Sequence, residues 1–195
     1  MFSKKIRRLL SNFSLSRFKT YLIKRKNNVI IGKKSLVYYK SKVICTGLGR
    51  VIIGDNTMIG RPEIGNHVGM PFTTTLLSDG DESIIRIGDN CRINGAYIHA
   101  KQLVAIGNNC VIASGVNILD SNGHQVRSLN RTVGADNPLN IIIGNNVWIG
   151  LNAIILKGSV IGDNCIVAAG TVVKGNFPPN TIIRNQTAVV DSIVF

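Results

Sequence analysis

The stretch from residue 141 to residue 173 reads IIIGNNVWIGLNAIILKGSVIGDNCIVAAGTVV, and an aliphatic residue recurs in it every six positions. The recurring residues are Ile143, Ile149, Ile155, Ile161, Val167 and Val173. A period of six fits neither an α-helix nor an alternating strand, and it is typical of a parallel β-helix built from hexapeptide units. Asn and Gly fill the corners, where they adopt a positive φ at little cost. The predicted fold class is therefore all-β.

The same repeat extends over most of the chain, from Val29 to about residue 182, with two interruptions. The first predicted loop excursion covers about residues 69–83, and the second covers about residues 120–140. We therefore predict a β-helix domain (29–182), a basic N-terminal segment before it (1–28) and a closing segment after it (183–195).

The positive charge lies at one end of the chain. Residues 1–54 hold fourteen Lys or Arg and no acidic residue, whereas the remainder is nearly neutral, for a net charge of +13. Residues 2–26 are predicted to form an amphipathic helix with a break at residues 14–16. A basic helix with an aromatic face can lie on an anionic membrane, and it can equally cap the open end of the β-helix. No nucleic-acid motif accompanies the charge, so no nucleic-acid partner is expected.

The composition bears on the cellular location of the protein and on the role of its cysteines. No apolar run has the length of a signal peptide or of a membrane span, so we expect a cytoplasmic protein whose membrane contact, if any, is peripheral, at the inner face. Cys91, Cys110 and Cys165 follow similar Gly-Asp/Asn-Asn triplets and are interpreted as small apolar spacers in a reducing compartment.

His124 is the first candidate for chemistry, because it lies where the repeat stops and the second polar loop begins. Insertions in repeat proteins gather on one face, which is often the binding face. A neutral imidazole there can take a proton from a hydroxyl, although a loop histidine can also simply bond to backbone. His67 is expected in a turn and His99 at a corner. The three histidines lack the close spacing of a zinc site, so no metal is expected.

Four motifs resemble those of the hexapeptide-repeat acetyltransferases, in the branch that acts on sugars and capsular polysaccharides. They are Asp120-Ser-Asn-Gly-His124, Ile143-Gly-Asn-Asn-Val-Trp-Ile-Gly150, Ala168-Ala-Gly-Thr-Val-Val and Pro178-Pro-Asn. The resemblance covers about residues 85–182. It implies a left-handed coil, a homotrimer, and acetyl-CoA bound as co-substrate in the groove between subunits.

The resemblance also implies roles for particular residues. His124 would be the general base, and Trp148 would lie near the thioester and the acceptor, although it could also cover a coil face. The family places a substrate-binding Asn near Asn94. From its own position, Asp120 could orient the imidazole or bind the acceptor, and it could equally cap the turn through its own backbone bonds. The cofactor would contact Trp148, Gly150, Leu151, Ala169, Lys174 and Arg184. The family's lysine falls one place later, at Gly175, so Lys174 and Arg184 could also be ordinary surface charges.

The implied activity is an acetyl-CoA-dependent O-acetyltransferase acting on a carbohydrate hydroxyl of a capsular, lipopolysaccharide or other surface glycan, or of its precursor. His124 would act in a direct acyl transfer, because no Ser or Cys is evidently paired with it. Two alternatives stay open. One is an N-acetyltransferase of a nucleotide-linked amino sugar, and the other is a non-catalytic trimeric scaffold, against which the presence of both His124 and Trp148 argues.

Overall fold

The computed structural model describes residues 4–60, 73–127, 129–130 and 132–185, with side chains of the N-terminal helix described from Ser11 onward. It begins with one helix, α1 (Lys4–Lys24). The predicted break at residues 14–16 is wrong, because the helix runs through it. Ser16 Oγ donates to the Asn12 carbonyl one turn earlier (2.7 Å), so its side chain is satisfied within the helix. No helix in the described part of the chain is long and apolar enough to cross a membrane.

The rest of the described chain consists of short strands joined by tight corners. In the first part they are β1 (Val29–Ile31), β2 (Leu36–Val37), β3 (Lys42–Thr46), β4 (Arg50–Ile53), β5 (Met58–Ile59), β6 (Thr75–Asp79), β7 (Ile84–Ile87), β8 (Arg92–Ile93), β9 (Tyr97–Ala100), β10 (Leu103–Ile106), β11 (Val111–Ile112) and β12 (Asn117–Leu119). After the second loop they are β13 (Ile141–Ile143), β14 (Trp148–Ile149), β15 (Ile154–Leu156), β16 (Val160–Ile161), β17 (Ile166–Val167), β18 (Val172–Val173), β19 (Asn176–Phe177) and β20 (Ile182–Ile183).

These strands form three parallel sheets that the chain visits in rotation. The first sheet has the order β1-β4-β7-β10-β13-β16-β19, the second β2-β5-β8-β11-β14-β17-β20, and the third β3-β6-β9-β12-β15-β18. The chain is therefore a coil of triangular cross-section, with one strand per face in each turn. The predicted left-handed parallel β-helix is confirmed.

Aliphatic side chains at the six-residue period fill the interior, as predicted. In the first sheet Ile53, Ile87, Ile106 and Ile143 stack in register and are buried, and a second buried row, which includes Val51, Ile85, Val104 and Ile141, lies two residues before them. Burial of each such side chain stabilises the fold by about 1.5–3 kcal/mol. The core is thus a set of aliphatic ladders that run along the coil axis.

The corners depend on asparagine. Seven asparagines of the described residues have φ between 52° and 60°, namely Asn56, Asn90, Asn109, Asn146, Asn152, Asn164 and Asn180. Their side chains also bond between turns, from Asn146 Nδ2 to Asn164 Oδ1 (2.9 Å) and from Asn164 Nδ2 to Asn180 Oδ1 (3.1 Å). Gly107 precedes a corner where a Cβ would lie 2.6 Å from the Gly144 carbonyl oxygen, so only glycine fits there.

The three similarly placed cysteines occupy equivalent buried positions beside these corners. Their thiols donate to carbonyl oxygens of the next turn: Cys91 to Gly107 (3.1 Å), Cys110 to Gly144 (3.2 Å) and Cys165 to Pro178 (3.2 Å). All three are free thiols. The adjacent Cys91 thiol and burial together raise the pKa of Cys110, so it remains protonated. These cysteines are structural.

Helix α1 lies over the open edge of the first turn. Thr20 Oγ1 accepts from the Val37 amide (2.9 Å), and Ser16 Oγ accepts from the Tyr39 amide (3.1 Å). Lys19 Nζ donates to the carbonyls of Tyr39 (2.8 Å) and Ser41. Side chains of the helix therefore satisfy backbone groups that an uncovered edge strand would leave unpaired.

The loop boundaries differ in part from the prediction. Residues 75–79 were expected in the first excursion, but they form β6, which pairs with β3 and β9. The earlier part of that excursion, residues 69–72, lies outside the described residues. The second excursion lies where predicted, between β12 and β13. Ile183, predicted to begin the closing segment, belongs to β20, and residues 186–195 lie outside the described residues.

Asp120 was predicted to bind the acceptor, and the structure corrects this. The residue is fully buried. Its carboxylate accepts three backbone amides of the turn below, from Lys101 (2.8 Å), Gln102 (2.8 Å) and Leu103 (2.9 Å). With both oxygens occupied away from solvent, Asp120 holds together the corner between β9 and β10.

We expect Asp120→Ala to lower the free energy of unfolding by about 3 kcal/mol or more, because each buried donor left unpaired costs about 1–3 kcal/mol. Urea unfolding measures the change. The matched control is Asp81→Ala, which removes an exposed aspartate that accepts one amide, from Leu48 (3.0 Å). That variant should lose about 0.5–1.5 kcal/mol. Equal losses for the two variants would contradict the structural role of Asp120.

Candidate functional site

His124 is exposed on the long loop between β12 and β13. Since β12 belongs to the third sheet and β13 to the first, the loop leaves the coil at the corner between those two sheets. The end of the loop is fixed by backbone bonds, from the Leu139 amide to the Asp120 carbonyl (2.9 Å) and from the Gly158 amide to the Leu139 carbonyl (3.1 Å). The loop is thus an insertion with anchored ends that carries an accessible imidazole.

Asp136 anchors the start of this loop to its end. Its carboxylate accepts from Ser121 Oγ (2.5 Å), the Asn122 amide (2.9 Å) and Lys157 Nζ (2.6 Å). Lys157, in the turn after β15, also donates to the Asn137 carbonyl (2.8 Å). Burial opposes ionisation of the Asp136 carboxyl, but the hydrogen bonds from Lys157, Ser121 and Asn122 outweigh it and lower its pKa to about 2. The anchor is therefore a charged pair at neutral pH.

The sequence analysis described the second loop only as polar and singled out neither Asp136 nor Lys157. The coil body contains few charged residues. An acidic residue in the loop and a lysine in the following turn could therefore have been predicted to form an ion pair.

Trp148 lies on β14 in the second sheet, and its side chain points outward with 54% exposure. It pairs in register with Val111 on one side and Ile166 on the other. Ile182 continues the row, so that Trp148 lies within an exposed apolar strip. The second sheet faces away from the corner at which the His124 loop leaves the coil, because a triangular section places each corner opposite one face.

Most of the predicted cofactor residues share one corner. Gly150, Leu151, Ala169 and Arg184 follow β14, β17 and β20, at successive corners between the second and third sheets. Ala169 is exposed, Arg184 is exposed, and Leu151 is partly exposed. Gly150 is buried, and a Cβ there would lie 2.7 Å from the Ala169 amide nitrogen. A glycine at this position therefore allows the two turns of the coil to pack closely.

Lys174 does not join that group. It is exposed after β18, at the corner between the third and first sheets. This is the corner from which the His124 loop emerges, so within one chain Lys174 lies on the side of His124 and Arg184 lies beside the face of Trp148.

A cavity of about 460 Å³ opens on the third sheet. Thr75, Tyr97 and Asn117 line it, and they occupy one outward row in register across β6, β9 and β12. Asn94 follows β8 just before this cavity, and its Oδ1 is buried without a hydrogen-bond partner among the described residues. An aromatic ring beside hydroxyl and amide groups suits a sugar. The sequence analysis named Asn94 but missed the row of Thr75, Tyr97 and Asn117. Each residue of this row directly precedes a buried aliphatic residue, and that position in the repeat predicts an outward side chain.

His99 was expected at a corner, and this was wrong. It points outward from β9, and its Nε2 lies 3.2 Å from Asp79 Oδ2. Lys101 Nζ lies 3.0 Å from the same oxygen. The hydrogen bond from Lys101, with those from Thr46 and His99, lowers the pKa of Asp79 to about 2 despite partial burial. His67 lies outside the described residues, and no cluster of His, Cys, Asp or Glu suited to a metal occurs in the part that the structure describes.

Comparison with known proteins finds two family matches. The bacterial transferase hexapeptide model (six repeats) matches residues 140–175, and the hexapeptide repeat of succinyl-transferase matches residues 84–119. Both matched regions lie within the coil described above.

Three curated relatives share parts of this chain. The polysialic acid O-acetyltransferase of Neisseria meningitidis is 28% identical over 68% of this chain and 66% of its own. The putative lipopolysaccharide biosynthesis O-acetyl transferase WbbJ of Escherichia coli K12 is 32% identical over 55% of this chain and 59% of its own. The galactoside O-acetyltransferase of the same organism is 41% identical over 51% and 49%. The matched part of the chain thus spans between about half and two thirds of the length of these relatives.

Solved structures share the fold. A hexapeptide-repeat acetyltransferase from Vibrio cholerae superposes with a TM-score of 0.57 at 24% identity, covering 91% of this chain and 80% of its own. A galactoside acetyltransferase in complex with coenzyme A superposes with a TM-score of 0.54 at 23% identity, covering 95% and 80%. The chain thus contains two regions that match hexapeptide-repeat transferase models, and its coil has the same fold as these solved acetyltransferases.

Proposed function

We propose that the protein is an acetyl-CoA-dependent O-acetyltransferase that acts on a carbohydrate hydroxyl of a surface glycan or its precursor. The observation that carries this proposal is the exposed His124 on a loop whose two ends are fixed by Asp136 and Lys157. The named activities of the relatives, O-acetylation of polysialic acid and of galactosides, support the choice of a hydroxyl acceptor. We propose that the enzyme works in the cytoplasm, where acetyl-CoA is available.

We further propose that the active form is a homotrimer with its sites between subunits. His124 leaves the coil at a corner opposite the face that carries Trp148, so one chain presents the two residues on different sides. A neighbouring copy that packs its second sheet toward the His124 loop would bring them together. The exposed apolar strip of Val111, Trp148, Ile166 and Ile182 suits such a contact and the apolar part of a bound cofactor.

In the proposed mechanism, His124 takes the acceptor proton as the hydroxyl oxygen forms its bond to the acyl carbon. Bound acetyl-CoA supplies the thioester. Backbone amides of the coil can stabilise the negative charge that develops on the acyl oxygen. The imidazolium then returns the proton to the departing sulfur, so no acyl-enzyme is needed.

The remaining residues take binding roles in this proposal. Trp148, Leu151 and Ala169 would line the cofactor groove beside Gly150, while Arg184 and Lys174 would neutralise phosphate groups from two different subunits. Asn94 would bind the acceptor in the cavity of Thr75, Tyr97 and Asn117. Asp120 keeps its structural role.

His124→Ala should lower kcat by about 10²–10⁴-fold, which is the usual contribution of a positioned base, with little change in KM for acetyl-CoA. Thiol release from acetyl-CoA, measured with a panel of glycans and of nucleotide-linked amino sugars, tests both the residue and the acceptor class.

The control is His99→Ala, which should cost less than about tenfold, because Asp79 engages the His99 imidazole on the third sheet. Turnover that survives in His124→Ala but is lost in His99→Ala would move the base to the third-sheet cavity. Turnover with amines alone would favour the N-acetyltransferase alternative, and no turnover with any acceptor would favour the scaffold.

Asp136→Asn should lower kcat by about tenfold while KM for acetyl-CoA stays near the wild-type value, because the base is displaced but the cofactor corner is intact. Lys157→Met should give a similar loss, and the double variant should cost little more than either single one, since the residues act as a pair. Asp81→Asn is the control and should leave kcat unchanged. Fully additive losses would contradict a shared anchor.

The same pair predicts a dependence of stability on acid. The pKa of Asp136 is lowered from 3.8 to about 2, so its stabilising contribution is present above about pH 4 and is lost as the pH falls toward 2. The stability difference between wild type and Asp136→Asn should therefore shrink over that window in urea titrations. A difference that stays constant from pH 5 to pH 2 is the contrary result.

Subunit complementation tests the shared site directly. His124→Ala and Trp148→Ala are each expected to be impaired, yet mixed trimers assembled from equal amounts should regain activity at about a quarter of their sites, because a site can take each wild-type residue from a different copy. Light scattering should give a trimer mass throughout. Mixtures that remain as inactive as the separate variants, or an active monomer, would contradict the arrangement.

A further inference from the structure

Helix α1 buries its polar side and exposes apolar side chains. Asn12, Ser16, Thr20 and Ile23 recur at helical spacing and are buried against the first turn of the coil. On a neighbouring flank of the helix Leu15, Phe18 and Leu22 also recur at helical spacing and are 48%, 61% and 49% exposed. This is the reverse of the usual amphipathic helix, whose apolar side faces the protein.

The polar side is buried because it has a specific use. Ser16 and Thr20 accept hydrogen bonds from the amides of Tyr39 and Val37. If these side chains turned outward, the two edge amides would lose their partners. The cation of Lys19 is used in the same way, on the carbonyls of Tyr39 and Ser41. The outward orientation of Phe18 and Leu22 is therefore fixed by hydrogen bonds and does not result from a loosely placed helix.

Basic groups surround the exposed apolar side chains. The guanidinium of Arg17 lies 5.8 Å from the centre of the Phe13 ring, and that of Arg25 lies 5.7 Å from the centre of the Tyr21 ring. Lys24 is also exposed, and residues 1–54 contain no acid. The surface thus combines apolar groups with positive charge.

A groove adds a place for an anion. A cavity of about 470 Å³ lies between α1 and the second sheet, and its lining includes Arg17, Lys24 and Lys34 together with the rings of Phe13 and Tyr21. Three cations along one groove suit the phosphate of a lipid headgroup, while the adjacent rings suit the boundary between headgroups and acyl chains.

We propose that this surface, comprising Leu15, Phe18 and Leu22 with Arg25 and the groove of Arg17, Lys24 and Lys34, docks the protein on an anionic phospholipid bilayer. Each basic group near such a surface strengthens the attraction, and the exposed apolar stripe enters the interfacial region. A second copy of the same surface would be repelled by its like charge. A soluble polyanion would leave the apolar stripe unused. The proposal is independent of the acyl-transfer activity.

Vesicle flotation of the full chain tests the proposal with two variant sets. Wild type should float with phosphatidylglycerol–phosphatidylcholine vesicles at least about tenfold more than with phosphatidylcholine alone, and high salt should remove the difference. The charge set Arg17→Gln, Arg25→Gln and Lys34→Gln should lower the partition coefficient by about 100-fold, at roughly fivefold per charge. The apolar set Leu15→Ser, Phe18→Ser and Leu22→Ser should lower it by about tenfold or more.

Matched controls separate docking from folding. Val160→Ser and Arg86→Gln change an exposed valine and an exposed arginine on the first sheet, and they should leave flotation within about twofold. Arg17→Lys with Arg25→Lys keeps the charge and should also bind. Thermal unfolding and light scattering should show that both variant sets keep the fold and the mass, because the substituted side chains are exposed.

Three results would overturn the proposal. The first is equal flotation with neutral and anionic vesicles. The second is that either variant set floats as well as wild type. If the charge set floats normally but no longer binds heparin, the surface binds a soluble polyanion instead. The third is a smaller particle mass for the apolar set, which would make the stripe a contact between copies.

Discussion

The structure depends on the ability of the chain to turn a sharp corner every six residues. Asparagines with φ near 55°, such as Asn146 and Asn164, make those turns, and their side-chain amides bond from one turn of the coil to the next. The residues before Asn146 and Asn164 do similar work, since the side chains of Asn145 and Asp163 accept hydrogen bonds from amides of the adjoining turn. Because the corners repeat with the same geometry, the strands stack in parallel register and the buried aliphatics form continuous ladders.

This constraint also decides where chemistry can be placed. A strand of the coil cannot lengthen without losing its register, so additional residues leave at a corner. The His124 loop does so between the third and first sheets, and the structure fixes its base twice, through Asp120 beneath it and through Asp136 and Lys157 at its ends. A site that needs Trp148 from the second sheet as well is then built most simply from two copies of the chain. The proposed trimer and the proposed acyl-transfer site therefore both depend on the corner at which the His124 loop leaves the coil.

The first turn of a β-helix has an open edge, and here the helix covers it with hydroxyl groups. That choice determines the outer surface, because Ser16 and Thr20 bond to the edge amides and so Phe18 and Leu22 face outward. The separation of charge follows the same division. The coil body has nearly balanced charges, whereas the helix and the first turns carry only positive ones.

The sequence by itself determined the three-faced coil, its buried ladders, the asparagine corners and the loop that carries His124, because each follows from a local repeat whose period can be counted. It did not determine which residues meet across insertions. Ile155 and Val173 pair at eighteen residues, the length of a regular turn, whereas Tyr97 and Asn117 pair at twenty. The row that lines the third-sheet cavity could therefore be identified only from the strand register of the structure. The partnership of Asp136 with Lys157, the burial of Asp120 and the orientation of α1 were likewise decided by tertiary structure. Each of these depends on which backbone groups lack partners, and that is fixed only when the turns are stacked.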